Sequence, residues 1–286
     1  MRSVVLTGAS TGIGNATCEV LIQHGFRVFG SVRKEQDAER VQQKLGSSFV
    51  PLLFDVTDEA AIAKAADEVR AALNGRTLAG LVNNAGIAVP GPLLDMPLAE
   101  FQQQMDVNVT GPFMVTQAFA PLLGSDSTLH GEPGRIINIS SIAGRRAMPF
   151  LGPYATSKFG LEGYSEALRR EMMLFGIDVI VIGPGPVKTA IWDKADELDV
   201  ERYAETPYYP ILKRFKKMSI ESGRDGYSAR RLGELVHTAL TIKNPKTRYS
   251  AVKGKLLEKV MMRAAPTRAM DKLIAKTLGI SQSNNN

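Results

Sequence analysis

The sequence predicts an α/β fold, a doubly wound parallel sheet with helices on both faces. Short β-branched runs alternate with helical patterns along most of the 286 residues, the signature of βαβ units. The first run opens directly into a glycine-rich turn followed by a helix. With 44% apolar and 22% charged residues, the chain has ordinary globular composition and is long enough for one large α/β domain or two small ones.

In order, Val4-Val5-Leu6 begins a strand near 3–7 and the glycine turn leads into a helix near 13–24. A strand near 26–31, a helix near 35–45 and a strand near 49–54 follow. The helix near 58–74 is the clearest, because Ile62, Ala65, Ala66, Val69 and Leu73 recur at spacings of three and four. After a strand near 78–83 comes a helical pattern over 97–122 that contains Pro112, a residue expected to kink it. A strand near 134–140, a helix near 154–175 and a strand near 177–183 continue the alternation. Between Pro184 and Arg230 no strand is expected, yet this stretch carries the only Trp, Trp192, and four tyrosines, Tyr203, Tyr208, Tyr209 and Tyr227. Such a loop with such aromatics reads as a functional lid rather than disorder. A helix near 229–241 and a strand near 247–252 complete the pattern, and Ser281 to Asn286 reads as a disordered end.

Composition narrows the function classes. A single cysteine rules out a disulfide framework, and His24, His130 and His237 are too far apart to suggest a metal site. No apolar run approaches the roughly 20 residues of a membrane helix, and the first strand follows Met1 and Arg2 too closely for a signal peptide. A cytoplasmic setting is expected. The net charge of +6 is confined to the tail: residues 243–286 carry +8 and residues 1–242 carry −2. With Tyr249 as its only aromatic, the tail lacks the stacking residues of a nucleic-acid reader. It reads as a solvated face, with membrane-surface contact as the weaker alternative.

The turn Thr7 to Gly14 places glycines at 8, 12 and 14, which permit a tight bend, close approach of backbone N–H groups to a pyrophosphate, and tight helix packing. Tyr154 and Lys158 are four apart and share a helix face. A neighbouring ammonium is expected to lower the phenol from its ordinary value near 10, enabling Tyr154 to exchange a proton with a substrate oxygen. Cys18 and His24, in the first helix, read as structural. At the end of the second strand Val32 stands where an NAD-specific site places an acid, and Arg33 follows. A guanidinium there suits a 2′-phosphate.

The ordered set Thr7-Gly8 through Gly14, then Asn83-Asn84-Ala85-Gly86, then Tyr154-x-x-x-Lys158 resembles the short-chain dehydrogenase/reductase family over roughly residues 3–190. Its glycine spacing is similar to that of the shorter oxidoreductase branch. The resemblance implies a single-domain Rossmann fold with a seven-stranded parallel sheet, spanning about 1–280 with a substrate lid at about 190–228 and a basic extension at about 253–280. It implies a nicotinamide cofactor and carbonyl/alcohol interconversion. By position, Ser141, Tyr154, Lys158 and Asn108 match the catalytic set: serine on the substrate carbonyl, tyrosine as proton carrier, lysine also bonding the nicotinamide ribose, and asparagine holding a water at a helix bend.

The same resemblance assigns the cofactor contacts. Gly8, Ser10, Thr11, Gly12, Ile13 and Gly14 take the phosphates, while Arg33 selects NADP(H), with NAD(H) as the alternative. Asp55 and Val56 lie at the adenine, and Asn83, Ala85 and Gly86 pass beneath its ribose. Pro184, Gly185, Val187 and Thr189 clamp the carboxamide. The aromatic segment and basic tail are similar to those of retinol and 17β-hydroxysteroid dehydrogenases. This implies a hydrophobic carbonyl or alcohol substrate closed over by Trp192 and its neighbours, and a homodimer or homotetramer.

Overall fold

The computed structural model describes residues 1–189, 199–252 and 266–281. In chain order the first half comprises β1 (Ser3–Leu6), α1 (Gly12–Gln23), β2 (Arg27–Val32), α2 (Glu35–Leu45), β3 (Phe49–Leu53), α3 (Glu59–Leu73) and β4 (Gly80–Asn83). Then come α4 (Leu98–Met105), α5 (Gly111–Phe119), β5 (Arg135–Ile139), α6 (Gly152–Glu171), β6 (Asp178–Pro184), β7 (Val187–Lys188), β8 (Tyr227–Ser228) and β9 (Arg248–Ala251). The main sheet has seven strands in the order β3-β2-β1-β4-β5-β6-β9, all neighbours parallel. This is the expected doubly wound sheet.

Strand alternation sorts the core into two layers, because successive side chains leave opposite faces of a strand. Val4, Leu6, Val28 and Ile180 meet Leu21 of α1 and Leu232 and Val236 of the helix Ala229–Thr241. Val5, Phe29, Leu81 and Val179 meet Ile62 and Val69 of α3 and Val115 and Phe119 of α5. With both faces covered, β1 has no solvent-facing position, and all four of its residues are buried.

The pattern over 97–122 is not one helix. Between α4 and α5 the chain widens into a π turn, Asp106–Thr110, in which the Gly111 N–H donates to the Asp106 carbonyl, five residues back. Pro112, which has no N–H to give, then falls in the first turn of α5, where none is needed. The irregularity in this helix thus lies in the turn before Pro112.

The described part of residues 184–230 holds two short strands and a helix where no strand was expected. β7 and β8 pair parallel as a small second sheet, and a helix spans Tyr209–Arg224. A third core joins Phe150, Val200, Tyr203, Leu212 and Phe215 to Leu278 of the helix Thr267–Leu278. Tyr208 meets Phe150 edge-on, and the Tyr209 hydroxyl donates to Glu201 at 2.7–2.8 Å. Tyr203, Tyr208 and Tyr209 therefore pack in this third core, and Tyr227 packs against the main one. Trp192, part of the basic extension and the terminal 282–286 lie outside the described residues. Among the described residues no helix is long and apolar enough to cross a membrane.

Candidate functional site

The strand order reverses where the chain, having passed from β1 to β3, returns to β4 on the other side of β1. Such a switch point leaves a crevice beyond the strands' carboxyl ends. Thr7 stitches its floor. Its hydroxyl accepts from the Asn84 and Ala85 N–H groups at 3.0 Å, and the Asn84 amide donates to the Thr7 and Gly8 carbonyls at 2.9 and 3.2 Å. Gly8 (φ +73°) turns the chain, its N–H held by the Ser31 hydroxyl at 3.0 Å. A Cβ on Gly14 would fall 2.0 Å from the Gly8 carbonyl oxygen, so α1 packs here only without a side chain. Its N-terminus, carrying partial positive charge, meets the crevice.

A cavity of about 2160 Å³ fills this crevice, ample for a dinucleotide and a second molecule. Gly8, Ser10, Thr11, Gly12, Ile13 and Gly14 line it. So do Arg33, Asp55, Val56, Ala85 and Gly86, and farther along the chain Pro184, Gly185, Val187 and Thr189. The Arg33 side chain is 72% exposed and lies 3.7 Å from Asp55 Oδ2. Asp55 Oδ1 meanwhile accepts from the Thr57 N–H and hydroxyl at 3.0 and 2.8 Å. Val32 is buried, so no acid faces Arg33 from the end of β2. A bare glycine cradle at a helix N-terminus with a cation beyond β2 fits a dinucleotide bearing an extra phosphate.

Two expected residues lie behind the cavity lining. Asn83 is turned into the interior, where its amide donates to Thr116 Oγ1 at 3.1 Å and Asn138 Oδ1 at 2.9 Å; the neighbouring Asn84 lines the cavity in its place. Asn108 also lies behind the wall, fully buried. The π turn aims it inward, where Oδ1 accepts from the Ile87 N–H at 2.9 Å and Nδ2 donates at 3.0 Å to the Ile87 carbonyl and to Ser157 Oγ. These bonds tie Ile87 to Ser157 of α6.

Ser141, Tyr154 and Lys158 line the cavity together. Ser141 follows β5 and caps a short turn, its hydroxyl accepting from the Ala143 N–H at 3.1 Å. Tyr154 and Lys158 occupy successive turns at the start of α6. Lys158 is buried, donates to the Ile139 carbonyl at 2.9 Å and sits 5.8 Å from the centre of the Tyr154 ring. Burial pulls the Lys158 ammonium down to about 8, partly opposed by Glu162. Burial pushes the Tyr154 phenol up, partly opposed by a hydrogen bond with Ser141. In the protein alone, burial outweighs any lowering by the lysine: the ammonium is turned to a backbone carbonyl, and desolvation dominates the phenol.

Sequence reasoning missed an ionic brace. Glu162, one turn beyond Lys158, takes Arg248 of β9 on both oxygens at 2.9 Å, with both side chains only 13% exposed. Arg248 also reaches the Ser141 carbonyl at 3.5 Å. Nothing in the sequence pairs positions 86 apart. Arg146, also missed, lines the cavity from the loop between Ser141 and α6.

The chain is similar to several known proteins. The short chain dehydrogenase family model matches residues 2–199. An NADPH-dependent 3-dehydrocapnine reductase of Ornithobacterium rhinotracheale is 40% identical, over 97% of this chain and 98% of that one. Mouse retinol dehydrogenase 16 is 32% identical, over 96% of this chain and 87% of that one. A solved short chain dehydrogenase/reductase from Burkholderia phymatum, in complex with NAD, superposes with a TM-score of 0.77 at 22% identity, covering 96% and 94% of the two chains.

Proposed function

Because the chain belongs to the short chain dehydrogenase family, we propose that this oxidoreductase prefers NADP(H) and interconverts a carbonyl and an alcohol on a hydrophobic substrate. The observation that carries the reading is the convergence of Ser141, Tyr154 and Lys158 in the cavity that the glycine turn also lines. When bound, the dinucleotide supplies or accepts the hydride at the substrate carbon. The chain's residues do the rest. In reduction, the Ser141 and Tyr154 hydroxyls bond the carbonyl oxygen and polarise it. As the hydride reaches carbon, the Tyr154 proton passes to that oxygen to give the alcohol. A phenol held above its ordinary value by burial carries its proton at neutral pH, as an acid must. Lys158 would hold the nicotinamide ribose, and Asn108 keeps the adjoining wall in register.

Arg33, with no acid beside it on β2, supports a preference for the 2′-phosphate. The name of the NADPH-dependent relative supports it as well. Met148, Leu151 and Phe215 line the cavity and supply apolar wall for a bulky chain or ring. The test is oxidation of NADPH and NADH against ketones, retinaldehydes and ketosteroids of graded size. Turnover with NADPH, faster for bulky carbonyls, is expected. Preference for NADH, or for small hydrophilic ketones, overturns the corresponding half of the reading.

A further inference from the structure

Helix α4 has an inverted pattern of burial. Helices turn apolar positions inward and leave amides in water, yet α4 leaves Leu98 69% exposed and buries one residue alone, Gln104. None of the Gln104 surface reaches solvent. A primary amide out of water is costly unless both of its ends are bonded, and here both are. Oε1 accepts from the Val89 N–H and Nε2 donates to the Ile87 carbonyl, each at 2.8 Å. A carbonyl and an N–H two residues apart are what a neighbouring strand takes in a parallel ladder. Residues 87–89 belong to no strand or helix, and the Gln104 side chain takes that part. Asn108, one turn further, holds the Ile87 N–H and shares the Ile87 carbonyl.

This stretch runs beside the reacting groups. At one end, a Cβ on Gly86 would stand 3.7 Å from Lys158 Nζ. At the other, the Gly91 N–H donates to the Phe150 carbonyl at 2.9 Å, and Gly91 bridges to Leu151, the residue that precedes α6 and its Tyr154. Residues 87–90, between these ends, line the same cavity as Ser141, Tyr154 and Lys158. We infer that Gln104 is a positioning residue for the reaction: its amide fixes residues 87–89 as the wall against which the substrate carbonyl is set before Tyr154. This rests on the carbonyl-reductase reading above and adds to it a residue that never touches substrate. A wall that slips misplaces the carbonyl, and a shift of about 1 Å can cost about a hundredfold in rate. The glycine turn and Arg33 take no part in these bonds, so cofactor affinity should be retained.

The test uses the full chain with NADPH and a reducible ketone, in Gln104→Leu and Gln104→Glu. Leucine keeps the buried volume and removes both bonds. The inference expects kcat/KM for the ketone to fall about ten- to a hundredfold in Gln104→Leu, with NADPH affinity retained. An unchanged kcat/KM overturns it, as does an equal loss of NADPH binding, the mark of general damage to the fold. Gln104→Glu gives a readout that a merely structural role would not move. Desolvation pushes a buried carboxyl up, and only its protonated form can both accept from Val89 and donate to Ile87. The kcat/KM of Gln104→Glu relative to wild type should therefore climb on acidification. Taking this ratio divides out titrations shared by both proteins, those of Lys158 and of the Glu100–Arg202 pair one turn back on α4. A flat ratio overturns the inference, even where Gln104→Leu does not fold. Amide hydrogen exchange at Val89, followed without substrate, separates the clamp from the reductase reading. Faster Val89 exchange in Gln104→Leu with the β1 amides unchanged, while the wild type reduces no carbonyl, sinks the reductase reading and leaves the clamp standing. Val89 exchange that Gln104→Leu does not change sinks the clamp.

Discussion

Burial of Lys158 ties the stability of the fold to pH. Its ammonium is lowered from 10.5 to about 8 in the folded chain, chiefly by burial. Between those two values the unfolded chain binds a proton that the folded chain has released, so stability rises with pH there. Each pH unit between them is worth about 1.36 kcal/mol, which makes the full effect about 3.4 kcal/mol. Integrating the two titrations from pH 7 to about pH 9.5, below the ordinary tyrosine range, leaves about 2 kcal/mol of gain. Replacing Lys158 by Met removes the titration and retains the apolar stem. Urea unfolding of both proteins at several pH values in this window should show the wild type gaining about 2 kcal/mol relative to the variant. Parallel stability curves would refute the claim that Lys158 is held as a desolvated ammonium.

Three further outcomes follow from neighbouring groups. Arg33→Ala should raise the KM for NADPH about ten- to a hundredfold, one lost charge-assisted bond, with much less effect on NADH; equal effects would make Arg33 a residue of the fold alone. Glu162→Gln leaves Arg248 buried without its partner, so urea unfolding should report a loss of about 3–5 kcal/mol. It also removes the carboxylate that props up Lys158, so any Lys158-linked limb of the pH–rate profile should move to lower pH; an unmoved limb rejects the coupling. His237 stacks on His24 with ring centres 3.9 Å apart, and burial with its cationic neighbours lowers it. Below its ordinary value of 6.5 the unfolded chain takes up the proton first, so Tm should fall on acidification and fall less in His237→Gln. Equal slopes would contradict this.

The inner strands of the main sheet were legible because they are apolar runs buried on both faces, as Val4-Val5-Leu6 shows. The glycine turn and the Tyr154–Lys158 spacing were legible because both are local. What escaped depends on distant partners or on very short elements. β7 and β8 have two residues each, too few for any periodicity. In the helix Tyr209–Arg224, buried Leu212, Phe215 and Ile220 stand among lysines that masked the pattern. Pro112 signalled a break but not its form, because the π turn is written in a bond from Gly111 to Asp106. Asn108 falls at the helix irregularity its position implied, while the partners of Asn83 and Asn108 were not legible, since only the packing reveals which way an amide faces.

The central claim is that Tyr154 carries the proton for carbonyl reduction. Its most direct test is single-turnover NADPH oxidation with a reducible ketone in the wild type and in Tyr154→Phe, with NADPH affinity measured in parallel. The account predicts a rate at least about a hundredfold lower in the variant, the scale of a lost general acid, with cofactor binding nearly intact. A variant that oxidises NADPH at a rate near that of the wild type would contradict it.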